Sequence, residues 1–150
     1  MDESCTQNGS RGEVEVAAIL LIDDNAVQAA TRQIILKRAG YYVIPVLNPV
    51  RALEQFQAND FPWEIRLVIT DHLMPGMNGS EFVRELRRTH LQLPVLVITG
   101  LEEAEELYRG LNVMFRLKPL MPDHLLASVH GLIHAGQVHG GKVHSGRADA

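Results

Sequence analysis

One stretch constrains this chain more than any other, residues 67–79, which read LVITDHLMPGMNG. An apolar run rich in β-branched residues delivers a single acid, Asp71, to its end, and a turn containing Pro75, Gly76, Asn78 and Gly79 follows at once. Such turn residues cannot extend a strand, so the run predicts a buried strand that carries Asp71 out at its carboxyl edge, presented rather than buried. What Asp71 is presented for depends on what other segments bring to that edge.

The neighbouring segments fall into one rhythm. Residues 16–22 are continuously apolar, which suits a strand covered on both faces in a parallel sheet, and Asp23 and Asp24 stand at its end. Asn25 can cap a helix with Val27, Ala30, Ile34 and Ile35 as its apolar stripe and Gly40 as its stop. Residues 41–47 read as a second strand, placed at an edge because Pro45 removes a ladder donor. Asn48-Pro49 opens a helix carrying Val50, Leu53 and Phe56. Trp63 then reads as a lid over helix and sheet. Beyond the central strand, Ser80 caps a helix with Phe82, Val83 and Leu86 inward and Arg84, Glu85, Arg87 and Arg88 outward. A fourth strand at 94–100 ends in Thr99-Gly100, and 102–109 form a short acidic helix. A fifth strand at 113–117 ends in Lys118-Pro119. A last helix over 122–134 carries Leu125, Leu126, Val129, Leu132 and Ile133.

Strands alternating with helices predict an α/β fold, a doubly wound five-stranded parallel sheet with helices on both faces and right-handed crossovers. Sites in such sheets form beyond the carboxyl ends of the strands, where strand order reverses. Asp23, Asp24, Asp71, Thr99 and Lys118 all fall on that edge.

Composition narrows the function classes. A net charge of -4 and a pI near 5.9 give no support for a nucleic-acid surface. Cys5 is the single cysteine, so no internal disulfide is available and a cytoplasmic setting fits. The run 16–22 is too short to cross a bilayer. The layout that follows is a disordered leader over 1–14, one domain over 15–134 and a disordered Gly/His-rich tail over 135–150. His134, His139 and His144 recur every five residues, share no helical face, and read as a solvated tail.

Three converging aspartates repel one another, by roughly 4 kcal/mol for two unit charges 4 Å apart at an effective dielectric of about 20. Such a cluster asks for a cation, and hard oxygen ligands of this kind suit Mg²⁺ better than Zn²⁺. With Lys118 opposite and the Thr99 hydroxyl nearby, the set is nearly complete for an acyl-phosphate site in which Asp71 is the nucleophile.

The pattern IDDN at 22–25, DHLMPGMNG at 71–79, VITG at 97–100 and LKP at 117–119 resembles the receiver domain of bacterial two-component response regulators over about residues 16–134. The resemblance implies a flavodoxin-like sheet of order 2-1-3-4-5. It implies that Asp71 accepts a phosphoryl group from a phosphohistidine on a sensor histidine kinase or histidine phosphotransfer protein, with self-catalysed transfer and autodephosphorylation. Asp24, Asp71 and the Leu73 backbone carbonyl would bind Mg²⁺ directly, and Asp23 through metal-bound water. Thr99 would be the switch hydroxyl, Lys118 its charge partner, and Phe115 the aromatic ring whose rotamer follows Thr99. A stand-alone receiver of this kind acts on a downstream protein target, without direct nucleic-acid or membrane binding, and allows a homodimer formed on phosphorylation.

The chain departs from the family in two places. The interval from Thr99 to Lys118 is short, which predicts a fourth helix clipped by about a turn on the face where receivers commonly dock partners. Phe115 has no hydroxyl, so a switch there works by packing alone. Leu73 and Leu101 flank the expected phosphate with apolar side chains that would slow attack by water. The alternative in another class is a receiver-like interaction module that is never phosphorylated. A haloacid-dehalogenase-type hydrolase is disfavoured because Leu73 stands where its second aspartate belongs, and a dinucleotide enzyme because no G-x-G-x-x-G loop follows the first strand.

Overall fold

The computed structural model describes residues 18–138. The leader, Cys5, Val16, Ala17, His139 and His144 lie outside the described residues. Five strands, β1 (Ala18–Ile22), β2 (Tyr42–Val46), β3 (Ile65–Thr70), β4 (Val95–Thr99) and β5 (Met114–Leu117), form one parallel sheet of order β2-β1-β3-β4-β5. This is the anticipated 2-1-3-4-5 order, with β2 and its Pro45 at an edge. Helices α1 (Ala26–Arg38), α2 (Pro49–Ala58), α3 (Gly79–Leu86) and α4 (Pro122–Val138) connect and cover the strands.

The continuous apolarity of the central strands has a direct cause in the two cores they serve. Successive side chains point to opposite faces of a sheet. Ile19 and Leu21 of β1, Leu67 and Ile69 of β3, and Leu96 and Ile98 of β4 pack beneath α1 and α4, against Leu36, Leu125, Val129 and Leu132. The intervening Leu20, Ile22, Val68 and Val97 pack on the other face, against Ala52 of α2 and Phe82, Val83 and Leu86 of α3. Both faces being dry, no alternation of polar residues is tolerated, and every residue of β1 and β4 is buried.

Helix ends follow local chemistry. The Asn25 side chain accepts from the Gln28 N–H, and the Asn48 side chain accepts from Val50 and Arg51 with Pro49 in the first turn, both as expected. At the end of α1, Gly40 at φ 100 lets its N–H reach the Lys37 carbonyl and the Tyr41 N–H reach the Leu36 carbonyl, a paired closure that satisfies two orphan carbonyls. Trp63 lies against Tyr42 of the edge strand, ring centroids 4.9 Å apart.

Four local expectations are corrected. The stripe of α1 is not Val27, Ala30 and Ile34, which are exposed; Ala29 and Leu36 are the buried residues, with Arg32 on the same inward line. The cap of α3 is Asn78, not Ser80: Asn78 accepts from the Glu81 N–H while the Glu81 carboxylate accepts from the Asn78 N–H, and Ser80 donates to the Asn78 side chain. The last helix does not end near His134 but runs to Val138, and it sets His134 one turn from His130, ring centroids 3.9 Å apart. The acidic segment Glu102–Tyr108 is a 3-10 helix rather than a clipped α-helix.

Arg87 is a fifth correction. Expected in solvent, it is 8% exposed, and its guanidinium donates to four backbone carbonyls: Leu111 at 2.8 Å, His90 and Leu93 at 2.7 Å, and Asn112 at 2.9 Å. Burial lowers its pKa to about 10, so it remains charged at neutral pH. It ties the exit of α3 to the turn before β5, a turn in which Asn112 takes the left-handed conformation at φ 59. Arg87→Ala leaves these acceptors without their donors, and it should lower stability by about 2–4 kcal/mol. Arg87→Lys, lacking the fork of N–H groups, should recover less than half of that loss. Urea unfolding of the two variants beside the wild type measures both effects.

Candidate functional site

Strand register assembles the edge. Ile22 of β1 is paired with Thr70 of β3, so the next residues, Asp23 and Asp71, leave adjacent strands side by side. Thr99 is paired with Leu117, and the Lys118 N–H continues the ladder to the Thr99 carbonyl at 2.9 Å. Lys118 Nζ then reaches Asp71 Oδ2 at 2.6 Å. The peptide after it, Lys118-Pro119, is cis.

Asp71 is not presented to solvent as the strand pattern suggested: the residue is 6% exposed. A buried carboxylate needs donors to replace the water it loses, and this one has three. Lys118 holds Oδ2, while the backbone N–H groups of His72 and Leu73 approach Oδ1 at 2.6 and 3.3 Å. These donors come from the turn residues directly after the strand and from a strand end two places away, which fixes the carboxylate rotamer.

Asp23 is fully buried and equally well partnered. Its Oδ1 accepts from the Asn25 N–H at 2.9 Å, and its Oδ2 accepts from Gln28 Nε2 at 2.7 Å and from Arg32 at 3.1 Å. Gln28 and Arg32 lie one turn apart on α1, so the carboxylate and the cores together set how that helix is rotated. Burial lowers the Arg32 pKa, while the charges of Asp23 and Asp71 both act to raise it. Asp24 is exposed. Thr99 is fully buried, its hydroxyl accepting from the Leu101 N–H at 3.4 Å. Leu73 is 58% exposed.

Two buried carboxylates, each held by a basic side chain, make this a cation-seeking edge with hard oxygen donors. That donor chemistry fits Mg²⁺ and not a thiolate or imidazole metal. As the side chains stand, Arg32 and Lys118 supply the positive charge, and among the described residues no group of three or more His, Cys, Asp or Glu side chains is gathered in metal-binding geometry.

A second layer escaped the sequence reading. His72 and Tyr108 are both buried, and His72 Nδ1 shares a hydrogen bond with the Tyr108 hydroxyl at 2.8 Å. Burial lowers the His72 pKa against the opposing charges of Asp71 and Glu81. It raises that of Tyr108, with Asp71 adding to the rise and Arg84 opposing it. Tyr108 also packs on Phe115, ring centroids 5.7 Å apart. Gly79 closes the turn, its N–H donating to the His72 carbonyl at 2.8 Å. A Cβ there would sit 2.6 Å from the Asp71 carbonyl oxygen and collide with the Tyr108 hydroxyl.

A doubly wound parallel sheet with paired acids, a hydroxyl and a lysine at its carboxyl edge defines a phosphoacceptor-type signalling module. The model of the response regulator receiver domain matches residues 19–130, and the chain belongs to that family of two-component phosphorylation-dependent signalling domains. The C4-dicarboxylate transport transcriptional regulatory protein DctD of Pseudomonas aeruginosa is 35% identical over 120 residues, covering 78% of this chain and 25% of that protein. The chain thus spans about a quarter of that relative's length. A CheY-like receiver domain of Methanospirillum hungatei superposes with a TM-score of 0.76 at 19% identity, covering 84% of this chain and 100% of that one. The response regulator TrrA of Thermotoga maritima, solved with Mg²⁺ and BeF, gives 0.69 at 24% identity, covering 78% and 99%. No helix among the described residues is long and apolar enough to cross a membrane.

The crowding at Gly79 yields a test of this layer. Gly79→Ala should destabilise the protein by about 1–3 kcal/mol through overpacking. Adding Tyr108→Phe should not restore stability, because the clash with the Asp71 carbonyl remains. Thermal and urea unfolding of the single and double variants decide it.

Proposed function

We propose that Asp71 is the phosphoacceptor of this receiver, loaded from a phosphohistidine in a Mg²⁺-dependent step. The observation that carries the reading is the buried Asp71–Lys118 pair with a second buried carboxylate, Asp23, on the adjoining strand end. Both oxygens are engaged in this state, Oδ1 by two backbone N–H groups and Oδ2 by Lys118, and we assign Oδ2 as the attacking atom because a side chain can release it more readily than a backbone turn can. As Oδ2 forms its bond to phosphorus, the P–N bond of the donor breaks and the imidazole leaves with the electron pair. Lys118, released from the oxygen it held, is placed to take a phosphoryl oxygen, and the Thr99 hydroxyl to take another. Asp24, Asp71 and the Leu73 carbonyl are the groups we assign to the metal, with Asp23 acting through water. Bound Mg²⁺ would neutralise charge on the transferred group.

The donor is a sensor histidine kinase or a histidine phosphotransfer protein, and the product is a docking signal. Phe115 and the 3-10 segment border one groove with Glu102, Glu103, Glu105 and Glu106 along it, and that face is the surface we assign to output. Transfer and hydrolysis are self-catalysed, and the exposed side chain of Leu73 shields the acyl phosphate from water.

Incubation with acetyl phosphate and Mg²⁺ should add one phosphoryl mass to the wild type and none to Asp71→Asn by intact mass spectrometry. An unmodified wild type would instead favour an interaction module that is never phosphorylated. Asp24→Ala offers a second check. Asn25, not Asp24, caps α1, so the variant should melt at or above the wild-type temperature in EDTA while losing Mg²⁺ affinity. A clear destabilisation in EDTA would assign Asp24 a structural role.

A further inference from the structure

Arg32 stands where packing alone would place an apolar residue. It lies between Ala29 and Leu36, the buried residues of α1, at helical spacing i, i+3 and i+7. Its side chain is 12% exposed, and the carboxylate it meets, Asp23, is fully buried. Gln28 donates to the same oxygen, and the Asn25 N–H donates to the other. Asp23 therefore has all its partners from within the chain, and one of them is a full positive charge held at the acidic edge.

We propose that Arg32 is a resident counter-cation of the acidic edge, which holds Asp23 in the metal-free protein and competes with the divalent ion for it. The inference rests on the reading of that edge as a Mg²⁺ site. Metal and guanidinium seek the same charge. Drawing Asp23 toward metal-bound water takes it from Arg32, and a +1 charge left beside a +2 ion opposes loading. Arg32 thus sets the Mg²⁺ concentration at which this receiver becomes competent for transfer. Its effect reaches the chemistry through Asp23, so it is a positioning residue. The same ion pair keeps two like charges, Asp23 and Asp71, tolerable side by side when no metal is present.

Calorimetric titration of Mg²⁺ into the EDTA-stripped chain tests this without any phosphotransfer. Arg32→Gln keeps a donor for Asp23 without the charge, and Arg32→Leu completes the apolar line of α1, so at least one uncharged variant should fold. Either should bind Mg²⁺ tighter than wild type by roughly fivefold to thirtyfold, the effect of removing a unit charge near a divalent ion in a high effective dielectric. Arg32→Lys should stay near wild type. In EDTA the uncharged variants should melt lower, and Mg²⁺ should recover more of the melting temperature than it does for wild type. A role confined to packing or hydrogen bonding would lower stability without tightening Mg²⁺. Folded uncharged variants that bind Mg²⁺ no better than a wild type that does bind it would overturn the proposal and leave the phosphoacceptor reading intact. If neither wild type nor variants bind Mg²⁺, the metal site falls and this inference falls with it.

Discussion

Parallel strands leave their carboxyl ends on one edge of the sheet, and in this chain two of those ends are aspartates that folding removes from water. The charge on a buried carboxylate has to be met by donors close by, and much of the local architecture can be read as the supply of those donors. Lys118 arrives because β5 pairs with β4 and its own N–H extends that pairing to Thr99. The turn after β3 folds back so that two consecutive N–H groups face Asp71. Helix α1 is rotated so that Gln28 and Arg32 face Asp23, although this leaves Val27 and Ile34 in solvent at 78% and 55% exposure. A local apolar loss is accepted because an unpaired buried charge is the larger cost.

That balance explains which parts of the molecule were legible in the amino-acid sequence. The strands, the edge position of β2 and the residues at the strand ends could be read because hydrophobic runs, Pro45 and the turn residues act locally and point the same way, whereas the full strand order followed only from the resemblance to receiver domains. The caps Asn25 and Asn48 were legible for the same reason. Arg32 and Arg87 were not, because amphipathic reasoning sends every charge to water, and each of these turns inward to acceptors supplied by another segment. For Arg32 there was a usable signal, in that it falls in line with Ala29 and Leu36 and one turn from Gln28, which together face the acids after β1. For Arg87 the acceptors are backbone carbonyls, which carry no mark in sequence. The cap of α3 does carry a mark in sequence, since Asn78 and Glu81 stand at the spacing of a reciprocal capping box, with Ser80 two residues on as a competing candidate.

The burial of Asp71 also bears on the phosphoacceptor role proposed for it. A carboxylate held by Lys118 and two N–H groups is preorganised, so little is left to arrange when a phosphoryl donor approaches. It is also a weaker nucleophile while Lys118 holds the reacting oxygen. On the proposed phosphoacceptor role, transfer would need a second positive charge to arrive with the donor, so that Lys118 could pass from Oδ2 to the phosphoryl group. A divalent ion would answer that need on the side where Asp23 and Asp24 lie.

The segment between β4 and β5 bears on the same loop from the other side. The 3-10 turn brings Tyr108 under the loop, buried against Phe115 and bonded to His72. Phe115 offers no hydroxyl, but one is present nearby on Tyr108, attached to the residue that follows Asp71. Gly79 has no side chain at the place where the Tyr108 hydroxyl and the Asp71 carbonyl converge, so the loop can close over the tyrosine only with glycine there. A buried polar contact, His72 to Tyr108, thus joins the loop after Asp71 to the 3-10 segment, and the Tyr108 ring carries the packing on to Phe115 of β5. Phe115 borders the groove along the 3-10 segment and also packs on Tyr108, so one ring touches both that face and the residue bonded to His72.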